Sequence, residues 1–167
     1  MKYLTVPLST KHNRGPFESG TDLLDRYFKH QAKQDVERKL SACFVYETAD
    51  RNEIIGYYTL SSASIPQEII PQEFRKRLPK SYSSIPVILL GRIAIDKRSQ
   101  GKGVGKMLLI DALKRCHSTS YTLGSFAVVV DPIDGHAVKY YQRFGFVELS
   151  SSKKMFLSMK TIQKLFE

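Results

Sequence analysis

Two stretches of the chain are apolar almost without interruption. Val87-Ile88-Leu89-Leu90-Gly91-Arg92-Ile93-Ala94-Ile95-Asp96 and Ser125-Phe126-Ala127-Val128-Val129-Val130 show neither helical spacing nor strict alternation. That pattern predicts strands covered on both faces, and Gly91 inside the first marks a bulge or a close approach by another backbone. Between the two strands, residues 106–116 repeat apolar positions at helical spacing. Residues 134–144 do so again before Gly145, which suits the end of a helix. Upstream, Leu23, Leu24, Tyr27, Phe28 and Gln31-Ala32 trace one face of a helix that Thr21 caps, with Asp22 in its first turn and its end by Arg38. Residues 41–47 and 54–62 are rich in β-branched and aromatic types, and Ala49-Asp50-Arg51-Asn52-Glu53 between them has turn chemistry, so they read as a hairpin behind a short opening strand. Residues 66–86 hold four of the seven prolines and the basic segment Arg75-Lys76-Arg77-Leu78-Pro79-Lys80, which predicts a short helix and loop on the surface.

No linker, repeat or low-complexity tract interrupts these elements, and 167 residues suit one domain, so residues 1–167 read as a single mixed α/β unit. No apolar run approaches the ~20 residues that cross a bilayer, and Met1-Lys2-Tyr3-Leu4-Thr5-Val6-Pro7 lacks the pattern of a signal peptide. A cytoplasmic protein with no membrane partner is the expectation. Cys43 and Cys116 stand in no metal-ligand spacing, so neither a metal site nor a disulfide is expected. Charge narrows the field further: 26 Lys plus Arg against 16 Asp plus Glu leave +10, which favours a polyanionic partner.

The chemistry concentrates after the first apolar strand. Gln100-Gly101-Lys102-Gly103-Val104-Gly105 leads straight into the helix that begins near Lys106. A glycine-rich turn at a helix start is an anion site, because unpaired backbone amides and the positive end of the helix dipole converge there and glycine lets the backbone come close. Lys102 and Lys106 add mobile charge. The turn has no Gly-Lys-Ser/Thr ending for a P-loop, and no early βαβ unit with an acidic residue some twenty positions on for a dinucleotide site. Coenzyme A remains.

The turn resembles the pyrophosphate loop of the GNAT superfamily, Gln/Arg-x-x-Gly-x-Gly/Ala. Ala137-Val138-Lys139-Tyr140-Tyr141-Gln142-Arg143-Phe144-Gly145-Phe146, with Asp134 before it, resembles that superfamily's second signature, Asn-x-x-Ala-x-x-Phe-Tyr-x-x-x-Gly-Phe. Asp134 and Tyr140 depart from it, and the first departure puts a cofactor contact by residue 134 in doubt. The resemblance implies a central twisted, mostly antiparallel sheet with a parallel, splayed central strand pair and helices on both faces. It also implies acetyl-CoA as donor, its pyrophosphate held by Gln100, Gly101, Lys102, Gly103, Val104, Gly105 and Lys106, its pantetheine arm paired with Ile93, Ala94 and Ile95, and Tyr141 on the tyrosine position. More narrowly, Phe17-Glu18-Ser19-Gly20, Gly56-Tyr57-Tyr58-Thr59-Leu60-Ser61, the 86–92 lead and the Tyr-Tyr helix are similar to the GNAT toxins of bacterial toxin–antitoxin pairs. That likeness implies acetylation of the α-amine on charged tRNA, a ribbon-helix-helix antitoxin and a homodimer.

Chemistry states what such a site must supply. The amine must be neutral to attack, the oxyanion needs a donor, and the departing thiolate benefits from a proton. Tyr141 suits the last task, since a phenol with pKa about 10 stays protonated at neutral pH. A backbone amide near Ala94 suits the second. No Glu or His is assignable as base, which an α-amine at about 7.7 to 8.0 tolerates better than a lysine at about 10.4. Arg75, Arg77, Lys80, Arg92, Lys97 and Arg98 are the candidate contacts for RNA phosphates. Lys29, Lys33, Arg38 and Lys39 read as a solvated face, and His136 as an ordinary surface histidine. A small-molecule or protein-lysine N-acetyltransferase, and a non-catalytic acetyl-CoA-binding module, share both signatures.

Overall fold

The computed structural model describes residues 2–50 and 52–167; Met1, and Arg51 of the expected turn, lie outside the described residues. In chain order the elements are β1 (Val6–Pro7), α1 (Asp22–His30), α2 (Ala32–Glu37), β2 (Ala42–Glu47), β3 (Ile54–Pro66), a 3₁₀ turn (Gln67–Ile69) and α3 (Gln72–Arg75). There follow β4 (Ser84–Ile95), a second 3₁₀ turn (Lys97–Ser99), α4 (Val104–Thr119), β5 (Ala127–Val130), α5 (Gly135–Arg143), β6 (Val147–Glu148), β7 (Met155–Ser158) and α6 (Met159–Leu165). The strands follow the order β1-β2-β3-β4-β5-β7-β6. β1–β2, β2–β3, β5–β7 and β6–β7 pair antiparallel, whereas β4–β5 pair in parallel, with Ile88 opposite Val128 and Leu89 opposite Val129. The expected mixed architecture with one parallel pair is therefore present. The chain forms two compact units, Met1–Ser61 with Leu90–Leu113 and Ser62–Leu89 with Lys114–Glu167.

The first unit is built on aromatic packing. Phe28 stacks on Tyr57 with ring centroids 4.2 Å apart, and Phe17 meets both edge-on. The helix expected to run to Arg38 breaks at Gln31, whose backbone leaves the helical region (φ −125°). The break has a visible consequence: the Tyr27 hydroxyl donates to Asp35 at 2.9 Å, although eight residues span about 12 Å along a straight helix. Thr21 occupies the N-cap position without a side-chain cap bond. Asp25 instead accepts the Ser19 amide and hydroxyl from the approaching chain. Leu23, expected on the buried face, is 68% exposed. On the other side of the sheet, the buried Asp111 of α4 accepts the Leu4 amide (2.6 Å), the Thr5 hydroxyl (2.5 Å) and the Tyr58 hydroxyl (2.8 Å), tying the opening segment down.

Gly56 lets β3 approach β4. A Cβ there would lie 2.9 Å from the Ala94 carbonyl oxygen, 3.1 Å from Leu108 Cδ2 and 3.2 Å from Ile95 Cδ1. The nearest atom is backbone and cannot swing aside. Gly56→Ala is therefore expected to destabilise by about 1–3 kcal/mol through overpacking, several degrees of melting temperature for a domain of this size. An unchanged thermal melt would show that β3 has room to spare.

The second unit has its own core around Ile65, Ile70, Ile85, Val87, Val129 and Phe156. Residues 66–86 are more than the expected surface insertion. Ile70 is only 1% exposed, Ile85 is buried, and Phe74 packs edge-on against Phe156 at 5.0 Å. Prolines set the turns of this segment, but its apolar residues anchor it. The hairpin β6–β7 and helix α6, which Ser158 caps at the Thr161 amide, complete the unit. Cys43 and Cys116 are buried free thiols, and burial pushes each up to about 12, so both are inert at neutral pH.

Candidate functional site

In the first unit a network of braces shapes the turn before α4. The Asp96 carboxylate, 3% exposed, accepts the amides of Glu18 (3.1 Å) and Arg98 (3.0 Å) and the Arg98 Nε–H (2.9 Å). Burial works to raise its pKa, but the Arg98 side chain, the Arg98 amide and the Glu18 amide outweigh it and hold the carboxyl below the usual range. The charged Asp96 thus caps the Lys97–Ser99 turn. Gln100 braces the next step, its Nε2 donating to the carbonyls of Ser19 (2.7 Å) and Ile95 (2.8 Å). Phe17, Glu18 and Ser19 form the wall behind the turn: Phe17 is embedded in the aromatic core, and Glu18 accepts the Lys97 amide at its carbonyl and the Lys97 ammonium at its carboxylate.

On that support the chain makes the glycine turn. Gly101 and Gly103 take φ of 76° and 80°, a left-handed conformation that glycine adopts without penalty, and a Cβ on either would meet nothing within 4 Å. The Gly103 carbonyl accepts the Met107 amide, which leaves the amides of Val104, Gly105 and Lys106 without an acceptor inside the helix. Lys102 and Lys106 are exposed beside them, and Lys102 Nζ donates to the Arg98 carbonyl at 3.1 Å. Open space, free amides and cations at one helix start fit a diphosphate.

The strand leading here departs from the expectation of burial on both faces. Val87, Ile88 and Leu90 are buried, yet from Gly91 onward only Ala94 and Asp96 are, with Arg92, Ile93 and Ile95 half-exposed. An apolar run cannot say whether neighbours cover both faces. Gly91 marks a close approach, since a Cβ would lie 3.2 Å from Thr59 Oγ1. The Asp96 amide donates to the Ile55 carbonyl, toward β3. Strand alternation turns Ala94 the same way and the amides of Ile93 and Ile95 toward the other edge.

In the second unit, Asp134 caps α5 by accepting the Ala137 amide at 2.8 Å, a task that Asp and Asn perform equally. The helix ends at Arg143, and Gly145, just beyond its Phe144 cap, takes φ 95°. Tyr140 is half-exposed and Tyr141 is 8% exposed, so the pair points two ways, with Tyr141 on the drier side. Its ring packs edge-on against Tyr140 (5.5 Å) and Phe146 (5.2 Å), and its hydroxyl has no hydrogen-bond partner among the described residues. Burial, helped by Tyr140, pushes this phenol well above its ordinary value, so it is fully protonated at neutral pH.

The basic candidates divide into committed and free groups. Arg92 lies over the Tyr27 ring at 3.4 Å, Lys97 pairs with Glu18 at 3.0 Å, and Arg98 pairs with Asp96 and, at 3.8 Å, Glu53. Arg75 donates to Gln72 and to the Glu68 carbonyl. The side chains of Arg77 and Lys80 are exposed and have no ion pair or hydrogen bond among the described residues. His136 is exposed, as expected. The braces Asp96 and Asp25 carry no motif that would single them out, because their partners lie outside any local pattern. Among the described residues no helix is long and apolar enough to cross a membrane, and no group of three or more His, Cys, Asp or Glu gathers as a metal site would require.

A helix start whose open amides and charge suit a diphosphate, and on another helix a dry, protonated phenol, are features that an acyl-transfer enzyme drawing on a thioester carrier would need. Residues 18–157 match the acetyltransferase (GNAT) domain, and the chain belongs to that family: it is an N-acetyltransferase with acetyl-CoA as donor. It is 34% identical to the tRNA-acetylating toxin of Mycobacterium tuberculosis over 143 residues, 86% of this chain and 82% of that protein. Among solved structures, a tyrosine-to-phenylalanine mutant of KacT is similar with a TM-score of 0.87 at 28% identity, covering 93% of this chain and 92% of that one. AtaTR bound with AcCoA is similar with a TM-score of 0.85 at 25% identity, over 98% and 97% of the two chains.

Proposed function

We propose that this enzyme acetylates the α-amine of the aminoacyl group on charged tRNA and so acts as a translation-blocking toxin. The likeness to the Mycobacterium tuberculosis tRNA-acetylating toxin carries the choice of acceptor. A net charge of +10 suits it, because a basic surface draws polyanions. So does the acid–base chemistry: an α-amine has a usable neutral fraction at neutral pH, so no carboxylate or imidazole is required as base.

Acetyl-CoA supplies the acetyl group as a reactive thioester. The amides of Val104, Gly105 and Lys106, with the open turn at Gly101 and Gly103, would hold its diphosphate, and Lys102 and Lys106 would add charge. Gln100 serves as the brace that presents the turn. Along β4, the outward-turned amides of Ile93 and Ile95 would pair with the extended arm and donate to the acetyl oxygen, with the buried Ala94 between them. Tyr141 would give its proton to the sulfur as the C–S bond breaks and the C–N bond forms, the amine proton passing to solvent. Residues 1–167 would act as one catalytic domain, as the match across both compact units supports. A cytoplasmic location, a homodimer and a ribbon-helix-helix antitoxin belong to the same reading.

Incubation with acetyl-CoA and a mixture of charged tRNAs is expected to yield N-acetylated aminoacyl-tRNA. Should every charged species remain unmodified while the same preparation acetylates a polyamine or a lysine-bearing protein, the acceptor is a different amine.

A further inference from the structure

In the second unit, between the Gln67–Ile69 turn and the loop entering β4, lies an open pocket of about 410 Å³. That is within the roughly 300–1,000 Å³ usual for small-ligand sites. Its walls are set in advance. Gln67 Nε2 donates to the carbonyls of Pro79 (3.0 Å) and Tyr82 (2.6 Å), and the Gln67 amide donates to Ser83 at 2.9 Å, so the 79–83 loop is stapled in place.

The groups that line it are complementary in kind. Arg75 spends three N–H groups on Gln72 and the Glu68 carbonyl, which leaves two of the five a guanidinium carries. Lys80 has all three of its donors free among the described residues. Tyr82 is 55% exposed and stacks on no other ring among the described residues. Glu68 is the opposing charge on the lining, so two cations face one carboxylate. An uncovered aromatic face beside a pair of cations suits a ligand that is flat at one end and anionic at the other. An unpaired nucleotide is both, whereas an acidic peptide offers the charge without the plane.

We propose that this pocket is an RNA subsite that takes one unpaired nucleotide, its base against the Tyr82 ring and its phosphate between Lys80 and Arg75. The source of that nucleotide, the acceptor tRNA, rests on the function proposed above; the binding itself does not. A subsite of this kind adds affinity that is indifferent to base identity, because every base has a face to stack.

The test uses the full chain and two probes, fluorescein-labelled hexauridylate and uncharged tRNA, followed by anisotropy over a salt series. Tyr82→Ala is expected to weaken hexauridylate by about tenfold, in line with the loss of one stacked base. Tyr82→Phe should retain binding. Lys80→Gln should lower the slope of log K against log salt by about 0.7. Acetyl-CoA affinity, measured by calorimetry, should not change in any of them. Equal hexauridylate binding by wild type and Tyr82→Ala overturns the subsite. So does polyglutamate that displaces the oligonucleotide and binds Tyr82→Ala as tightly as wild type, since the pocket then reads charge alone. Unmodified charged tRNA together with a Tyr82-dependent loss of RNA binding would refute the acetylation reading and leave the subsite standing.

Discussion

Tyr141→Phe is expected to lower turnover by about 100-fold or more while leaving acetyl-CoA affinity unchanged. The substitution keeps the ring, and with it the edge-on contacts to Tyr140 and Phe146, and removes only the hydroxyl. Positioned general acids contribute factors of about 10² to 10⁴, so this loss measures the proton delivered to the thiolate. The pH profile carries the sign. Burial raises the Tyr141 pKa, so the acid form persists above the ordinary phenol range instead of being lost near pH 10. The rate should therefore rise as the amine deprotonates around pH 8 and should not fall again up to about pH 10. Equal turnover by the two proteins would remove this residue from the proposed role, whereas a fall that begins near pH 8 and disappears in Tyr141→Phe would keep it as the acid and contradict the pKa raised by burial.

Gly103→Glu should reduce acetyl-CoA affinity at least tenfold, about 1.4 kcal/mol. Two effects act together. At φ 80° a side chain strains the backbone by roughly 1–2 kcal/mol, and the carboxylate sets a negative charge against amides that are there to receive one. Since a Cβ meets nothing within 4 Å, the fold itself should tolerate the change with a modest drop in melting temperature. Gly103→Asn separates the two effects, because asparagine accepts positive φ and brings no charge. It should keep most of the affinity. Titration calorimetry that finds Gly103→Glu binding acetyl-CoA like wild type would move the diphosphate away from this turn.

The features legible in the chain are those whose physics is local. The glycine turn announces itself because positive φ and unpaired helix-start amides follow from neighbouring residues, and Gly101 and Gly103 do take that conformation. Helix α5 was equally legible, with Asp134 at its start and Gly145 at its end. The parallel strand pair was implied by family likeness, whereas the two nearly unbroken apolar runs marked only that both segments are strands. Asp96, by contrast, looks like an ordinary loop carboxylate until Glu18 arrives from 78 residues away to donate to it. Gln100 reads as part of a phosphate-binding motif, and only the fold shows its amide engaged by Ser19 and Ile95. Tyr82 drew no notice at all, since an exposed aromatic has meaning only beside the cations that surround it.

The amino-acid order by itself determined the glycine turn at a helix start, the capped tyrosine helix and the excess of positive charge. Each depends on backbone geometry or composition within a few residues, and such terms survive in any arrangement of the rest. The tertiary structure alone decided that β4 is covered only in part beyond Gly91, that residues 66–86 are anchored by Ile70 and Phe74, that Arg92, Lys97 and Arg98 are already paired, and that Tyr141 is the drier of two adjacent tyrosines. Burial and pairing are properties of whatever else comes near, and contacts across tens of residues leave no periodicity from which to read them.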